Sequence, residues 1–127
     1  MSDPAVRIAL MERVLGIGGF FVRAEDPDAL TAWYRDVLGI DMAAYGVWTQ
    51  ESGPTVVAAF PADTDYFGAR AQQVMLNFRV ADLDAMLAQL AQNGSHRIGE
   101  IQEMDGVGRF AWINDPAGNR LELWQPA

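Results

Sequence analysis

The chain contains two copies of one pattern. Asp82 lies 56 positions after Asp26, and that offset also pairs Val22 with Phe78, Arg23 with Arg79, Ala24 with Val80, Leu30 with Met86 and Tyr34 with Leu90. Each aspartate follows a strand-like run and precedes apolar residues at helical spacing. Each half reads strand–helix–strand–strand–strand. A unit that short cannot close a core alone. Two units side by side can share one sheet, with helices on its convex side and a cleft on its concave side. The repeat therefore predicts an α+β fold of two βαβββ modules forming a cupped mixed sheet. The modules span about residues 14–60 and about 73–125, within one domain covering 1–127.

Composition narrows the class. At 127 residues and half apolar content, the chain is long enough to bury a real core without covalent staples. It has no cysteine, which excludes disulfides, thiolate metal sites and cysteine nucleophiles. The formal charge of −8 repels phosphate backbones, so no nucleic-acid partner is expected. No apolar run is long enough to span a bilayer, and Met1-Ser2-Asp3-Pro4 opens no signal peptide, so no membrane partner and a cytoplasmic address are expected.

Local signals place the elements. Residues 1–13 read as an arm. Leu15 to Ala24 reads as a strand with a glycine cluster at its start. Asp26 caps a helix with Pro27 in its first turn, Leu30, Trp33, Tyr34, Val37 and Leu38 on one face, and Gly39 at its end. Residues 41–60 alternate around a turn at Ser52-Gly53-Pro54, with Thr55 to Phe60 as a strand. Pro61 to Gln72 is the longest loop. Gln73 to Val80 is a strand, Asp82 caps a second helix, and Asn93-Gly94 stops it. Ile98 to Met104, Arg109 to Asn114 and Arg120 to Trp124 are strands, the last two joined by a turn at 115–119.

Two segments resemble a known family. Glu25-Asp26-Pro27-Asp28-Ala29-Leu30-Thr31-Ala32-Trp33-Tyr34-Arg35-Asp36-Val37-Leu38-Gly39 is similar to the first helix of the vicinal oxygen chelate superfamily. That superfamily includes glyoxalase I, bleomycin- and fosfomycin-resistance proteins and extradiol dioxygenases. Asn114-Asp115-Pro116-Ala117-Gly118-Asn119-Arg120-Leu121-Glu122-Leu123-Trp124 is similar to its closing strands. The resemblance covers about residues 14–125. It implies paired βαβββ modules and, for a chain of this length, a homodimer. Metal-dependent members draw ligands from both modules to hold an ion that activates the substrate as a Lewis acid. Here those positions fall on Gly19, on Ala58 or Ala59, on Met75 and on Glu122. Only Glu122 can bind a hard ion, so no metal and no other cofactor is expected.

Strand alternation assigns the cleft. If Leu121 and Leu123 face the helices, then Arg120, Glu122 and Trp124 face the other way. The same parity turns Asn77 and Arg79, then Phe110, Trp112 and Asn114, and Phe21 in the first strand, toward the cleft. Ligand-binding candidates are thus Phe21, Asn77, Arg79, Phe110, Trp112, Asn114, Glu122 and Trp124. An aromatic cleft with a few polar points suits a small aromatic or cationic molecule. A carboxylate in such a cleft needs a partner, for which Arg23, Arg79 and Arg120 are the candidates. These aromatics could instead plug the cleft or pack at a dimer interface. Trp33 and Tyr34 belong to the core.

Glu122 is the one candidate for catalysis. Two readings stand: a metal-free binding protein, or a lyase, isomerase or dioxygenase-type enzyme that is either metal-independent or has a rearranged site using Glu122, Glu103 or His96. The only histidine, His96, follows a helix stop and reads as an exposed loop residue. Gly16-Ile17-Gly18-Gly19 does not match a dinucleotide fingerprint, and Ser52 and Ser95 have no triad pattern.

Overall fold

The computed structural model describes residues 3–4, 11–42 and 46–127. Two helices form where the capping aspartates stand. In α1 (Pro27–Asp36) the Asp26 carboxylate accepts from the Ala29 amide at 3.0 Å, and in α2 (Leu83–Gln92) Asp82 does the same for Ala85 at 3.0 Å. Each cap satisfies an amide that the helix itself leaves unpaired, and each first turn carries a second aspartate in the favourable field of the helix N-terminus. Gly39 and Gly94 follow the helix ends with φ of 73° and 81°.

The sheet has four strands: β1 (Leu76–Arg79), β2 (Gln102–Met104), β3 (Gly108–Asn114) and β4 (Arg120–Pro126), in the order β1-β4-β3-β2. β1 runs parallel to β4, and the other two pairs are antiparallel. Together with α2 these strands make one complete βαβββ module. Ala111, Ile113, Leu121 and Leu123 are buried on one sheet face and join Leu83 and Leu90 of α2 and Leu30 and Tyr34 of α1 in a single apolar cluster. Taking each leucine or isoleucine of this cluster fully out of water stabilises by about 1.5–3 kcal/mol. The helices therefore share one side of the sheet, and the opposite face is open.

The first half departs from its expected strands. Residues 15–24 and 55–60 run without sheet pairing among the described residues, and so does the stretch between Gly46 and Pro54. Among the described residues of the first module only α1 forms as a regular element. The physical reason is separation from the edge that could pair with them. β1 is an edge strand, yet a groove of about 830 Å³ separates it from residues 49–56, and Arg79 spans that gap to donate to the Glu51 carbonyl at 2.9 Å. Phe20 and Trp48 still reach the core, meeting Phe78 at 5.6 and 6.4 Å between ring centres. Of the predicted arm at 1–13, residues 1–2 and 5–10 lie outside the described residues, and so do 43–45 of the predicted 41–60 stretch.

Candidate functional site

The open face is built in cross-strand rows, because residues paired across a ladder point to the same side. One row holds Asn77, Glu122 and Trp112 from β1, β4 and β3. The next holds Arg79, Trp124 and Phe110. Asn114 pairs with Arg120 at the far end.

Glu122 is the centre of the first row and is 8 % exposed. Asn77 Nδ2 donates to its Oε1 at 2.6 Å, and Trp112 Nε1 donates to its Oε2 at 2.9 Å. A third donor is the Tyr66 hydroxyl, also to Oε2. All three donors are neutral. No arginine stands within ion-pair distance of Glu122 among the described residues. This corrects the expected arginine partner: Arg79 is drawn to the Glu51 carbonyl, and Arg120 donates through Nη1 to the Tyr66 carbonyl at 3.3 Å. Hydrogen bonds take the place of a countercharge, which is enough to offset burial of a carboxylate when its oxygens are filled.

Tyr66 was outside the candidate set. It lies in residues 61–75, a stretch without helix or strand that crosses the open face. Its ring stacks on Phe60 at 5.0 Å and stands edge-on to Trp112 at 5.8 Å. Burial first, then the hydrogen bond and charge of Glu122, hold its phenol well above the usual tyrosine range. Gln72 pins the far end of this strap. Its side-chain amide donates to the Arg120 carbonyl at 2.8 Å and accepts from the Arg120 amide at 2.8 Å, as a neighbouring strand would. Gly68 passes close above the Arg120 guanidinium with φ of 80°; a Cβ there would stand 3.1 Å from that group in a backbone conformation side chains disfavour. The sequence signal was present: Tyr66-Phe67 is the aromatic pair of a loop otherwise made of small and polar residues.

In the second row Phe110 and Trp124 stack with planes 1° apart and centres 6.0 Å apart, and Trp124 Nε1 donates to the Val107 carbonyl at 3.0 Å. Trp124 is thereby 5 % exposed, so it serves as a floor more than as a free surface. Asn114 is exposed at the end of its ladder. Phe21 does not join the rows. It is 99 % exposed on the unpaired first segment, beside a cavity of about 440 Å³ between residues 18–24 and 46–50. Glu103 is exposed and paired with Arg109 at 3.4 Å, and His96 is exposed.

The family's metal positions do not fit an ion. Gly19, Ala58 and Ala59 offer no donor, Met75 offers only a thioether, and the Glu122 oxygens already accept three hydrogen bonds. Among the described residues no group of three or more His, Cys, Asp or Glu side chains could hold a metal. No helix among them is long and apolar enough to cross a membrane.

Comparison with known proteins places this architecture. TnmS3, an antibiotic-binding protein from Streptomyces sp. CB03234, superposes with a TM-score of 0.60 at 24 % identity, over 92 % of this chain and 100 % of that one. A lactoylglutathione lyase from Agrobacterium tumefaciens gives 0.56 at 21 % identity, over 89 % and 95 %. A glyoxalase/bleomycin resistance protein from Streptomyces sp. CB03234 gives 0.51 at 25 % identity, over 82 % and 95 %. No curated protein gives a significant match. The sequence profile described as glyoxalase-like domain matches residues 19–124. The chain belongs to the glyoxalase-like domain family, within the glyoxalase/bleomycin resistance/dioxygenase superfamily.

Proposed function

We propose that this protein binds a small aromatic or cationic molecule on the open face of its sheet, without a metal. The observation that carries the reading is the Glu122 row: one buried carboxylate, held by neutral donors, among the aromatic rings of Trp112, Tyr66 and Phe60. Rings supply stacking surface and Glu122 supplies a polar anchor, which together suit a flat or positively charged ligand. The net charge of −8 raises the local concentration of cations. The antibiotic-binding character of TnmS3 agrees with this reading. The working assembly is a homodimer in the cytoplasm, a reducing compartment that a cysteine-free chain suits, with no nucleic-acid or membrane partner.

A second reading is a lyase, isomerase or dioxygenase-type enzyme. It is favoured by Glu122 standing at the family's last ligand position and by the likeness to a lactoylglutathione lyase. Elemental analysis of protein purified without chelator separates the two. The binding reading expects no stoichiometric divalent ion, together with quenching of tryptophan fluorescence by N-methylquinolinium that is weakened in Trp112→Ala. One tightly held Zn, Ni, Mn or Fe per chain, lost in Glu122→Ala, would turn the conclusion to the enzyme.

A further inference from the structure

The three donors on Glu122 are not equivalent. Asn77 and Trp112 belong to β1 and β3, so the sheet itself fixes them. The third donor comes from the strap, a stretch with no ladder or helix to hold it, tied among the described residues by the Gln72 and Arg120 hydrogen bonds and by ring contacts of Tyr66 and Phe67. Irregular stretches of such length are uncommon in compact folds and are either functional or linker segments. What the strap delivers is a phenol. Its ring is stacked on Phe60, its edge meets Trp112, and its hydroxyl sits on Glu122 Oε2.

We propose that Tyr66 is an internal stand-in for a hydroxyaryl ligand, whose own hydroxyl takes the place of the Tyr66 hydroxyl on Glu122. The inference rests on the open face being the ligand site, and it narrows the ligand to an aromatic ring bearing a hydrogen-bond donor. The chemistry follows from satisfaction of the carboxylate. Displacing Tyr66 with a ring that cannot donate leaves a buried oxygen short of a partner, and sites of this kind reject such analogues strongly. Displacing it with a phenol restores the full set. Exchange also has a cost set by the strap: the ligand competes with Tyr66, so its apparent affinity is its intrinsic affinity multiplied by the fraction of chains in which Tyr66 is undocked.

The test titrates 2-naphthol and its methyl ether, 2-methoxynaphthalene, into the full chain and follows the Trp112 indole N–H resonance, which lies beside the exchanged bond. Wild type is expected to bind 2-naphthol at least about tenfold more tightly than the ether, the ratio that roughly one hydrogen bond to a charged group supplies. Tyr66→Phe removes the competing hydroxyl, so 2-naphthol is expected to bind about fivefold more tightly there. Glu122→Gln is expected to narrow the gap between the two probes, with thermal melts checking that each variant folds. Equal affinity of both probes in wild type would overturn the hydroxyl selection while leaving the ligand face intact. Unchanged or weaker 2-naphthol binding in Tyr66→Phe would overturn the stand-in role. If neither probe moves the Trp112 resonance in either protein, the inference and the ligand face fail together.

Discussion

Asp115 is a carboxylate with 4 % exposure, and its surroundings explain why the closing turn has the residues it has. Oδ1 accepts from the amides of Ala117 and Asn119, both at 2.9 Å. Oδ2 accepts from Asn119 Nδ2 at 2.9 Å and from the Tyr34 hydroxyl at 2.6 Å. The turn is thus folded around one side chain and bolted to α1 by one phenol. Sequence reading recognised Asp115 as a turn residue and Tyr34 as core. It could not join them, because the bond links residues 81 positions apart. Burial, then the Asp115 hydrogen bond and charge, push the Tyr34 phenol far above the usual tyrosine range. A folded-state value raised above the unfolded one means that the stabilisation is complete below about pH 10 and is lost as pH rises beyond that. Tyr34→Phe is expected to cost about 1.5–3 kcal/mol at neutral pH, the worth of a hydrogen bond to a charged group. It should also flatten the fall of melting temperature above pH ~10, leaving the part that Tyr66 contributes in the same direction. Asp115→Ala strands four donors at once and is expected to cost more, about 3 kcal/mol or above. Denaturant titrations at pH 7 and thermal melts from pH 7 to 11 check both; a Tyr34→Phe protein as stable and as alkali-sensitive as wild type would contradict the assignment.

At the scale of elements, alternation along β3 and β4 separates stability from recognition. Leu121 and Leu123 are 1 % and 0 % exposed on the helix side, while Trp112 and Glu122 stand on the other. A slip of one residue would exchange the two sets, so the register can be tested by mutation. Leu123→Ala is expected to cost about 2–5 kcal/mol, the transfer term plus the cavity it leaves. Trp112→Ala empties no such cavity in the core. It should lower stability less, chiefly through the lost donor to Glu122, and should mainly weaken binding of aromatic or cationic probes. Thermal melts paired with ligand titrations check the contrast, and a silent Leu123→Ala would refute the register. These strands and both helix caps were legible in the sequence because their causes are local: period-two alternation, an aspartate before each helix, a glycine after it. The shared sheet face of these side chains was legible to the same depth, which is why Asn77, Trp112 and Glu122 emerge as one row. The strap was not. Tyr66 reaches Glu122 from 56 positions away across a segment with no periodicity, and neutral donors leave no charge pattern that would distinguish them from an arginine partner.

For the whole molecule, the first half poses the larger physical problem. Val14, Leu15, Phe21 and Val57 are 88, 89, 99 and 90 % exposed. Their segments have strand-like sequences but no ladder among the described residues, and β1 keeps a free edge along the groove of about 830 Å³. Exposed apolar side chains of this number, beside an open strand edge, favour association, since pairing removes apolar surface and unpaired backbone groups together. Closed twofold pairing is the commonest solution for a single kind of chain. The expected assembly is therefore a C2 homodimer in which the first-half segments gain partners from the second chain. Phe21 is the sharpest probe, because it contributes no contact to the core of its own chain yet offers a whole aromatic ring for burial. Phe21→Asp is expected to leave the core of the single chain intact and to shift the sedimentation mass from near twice 13.9 kDa toward 13.9 kDa at micromolar concentration. Circular dichroism should then show less sheet in the variant than in wild type, because the segments that pair only across the dimer lose their ladders. A wild-type mass of 13.9 kDa at micromolar concentration would remove the dimer, and with it the role assigned to Phe21.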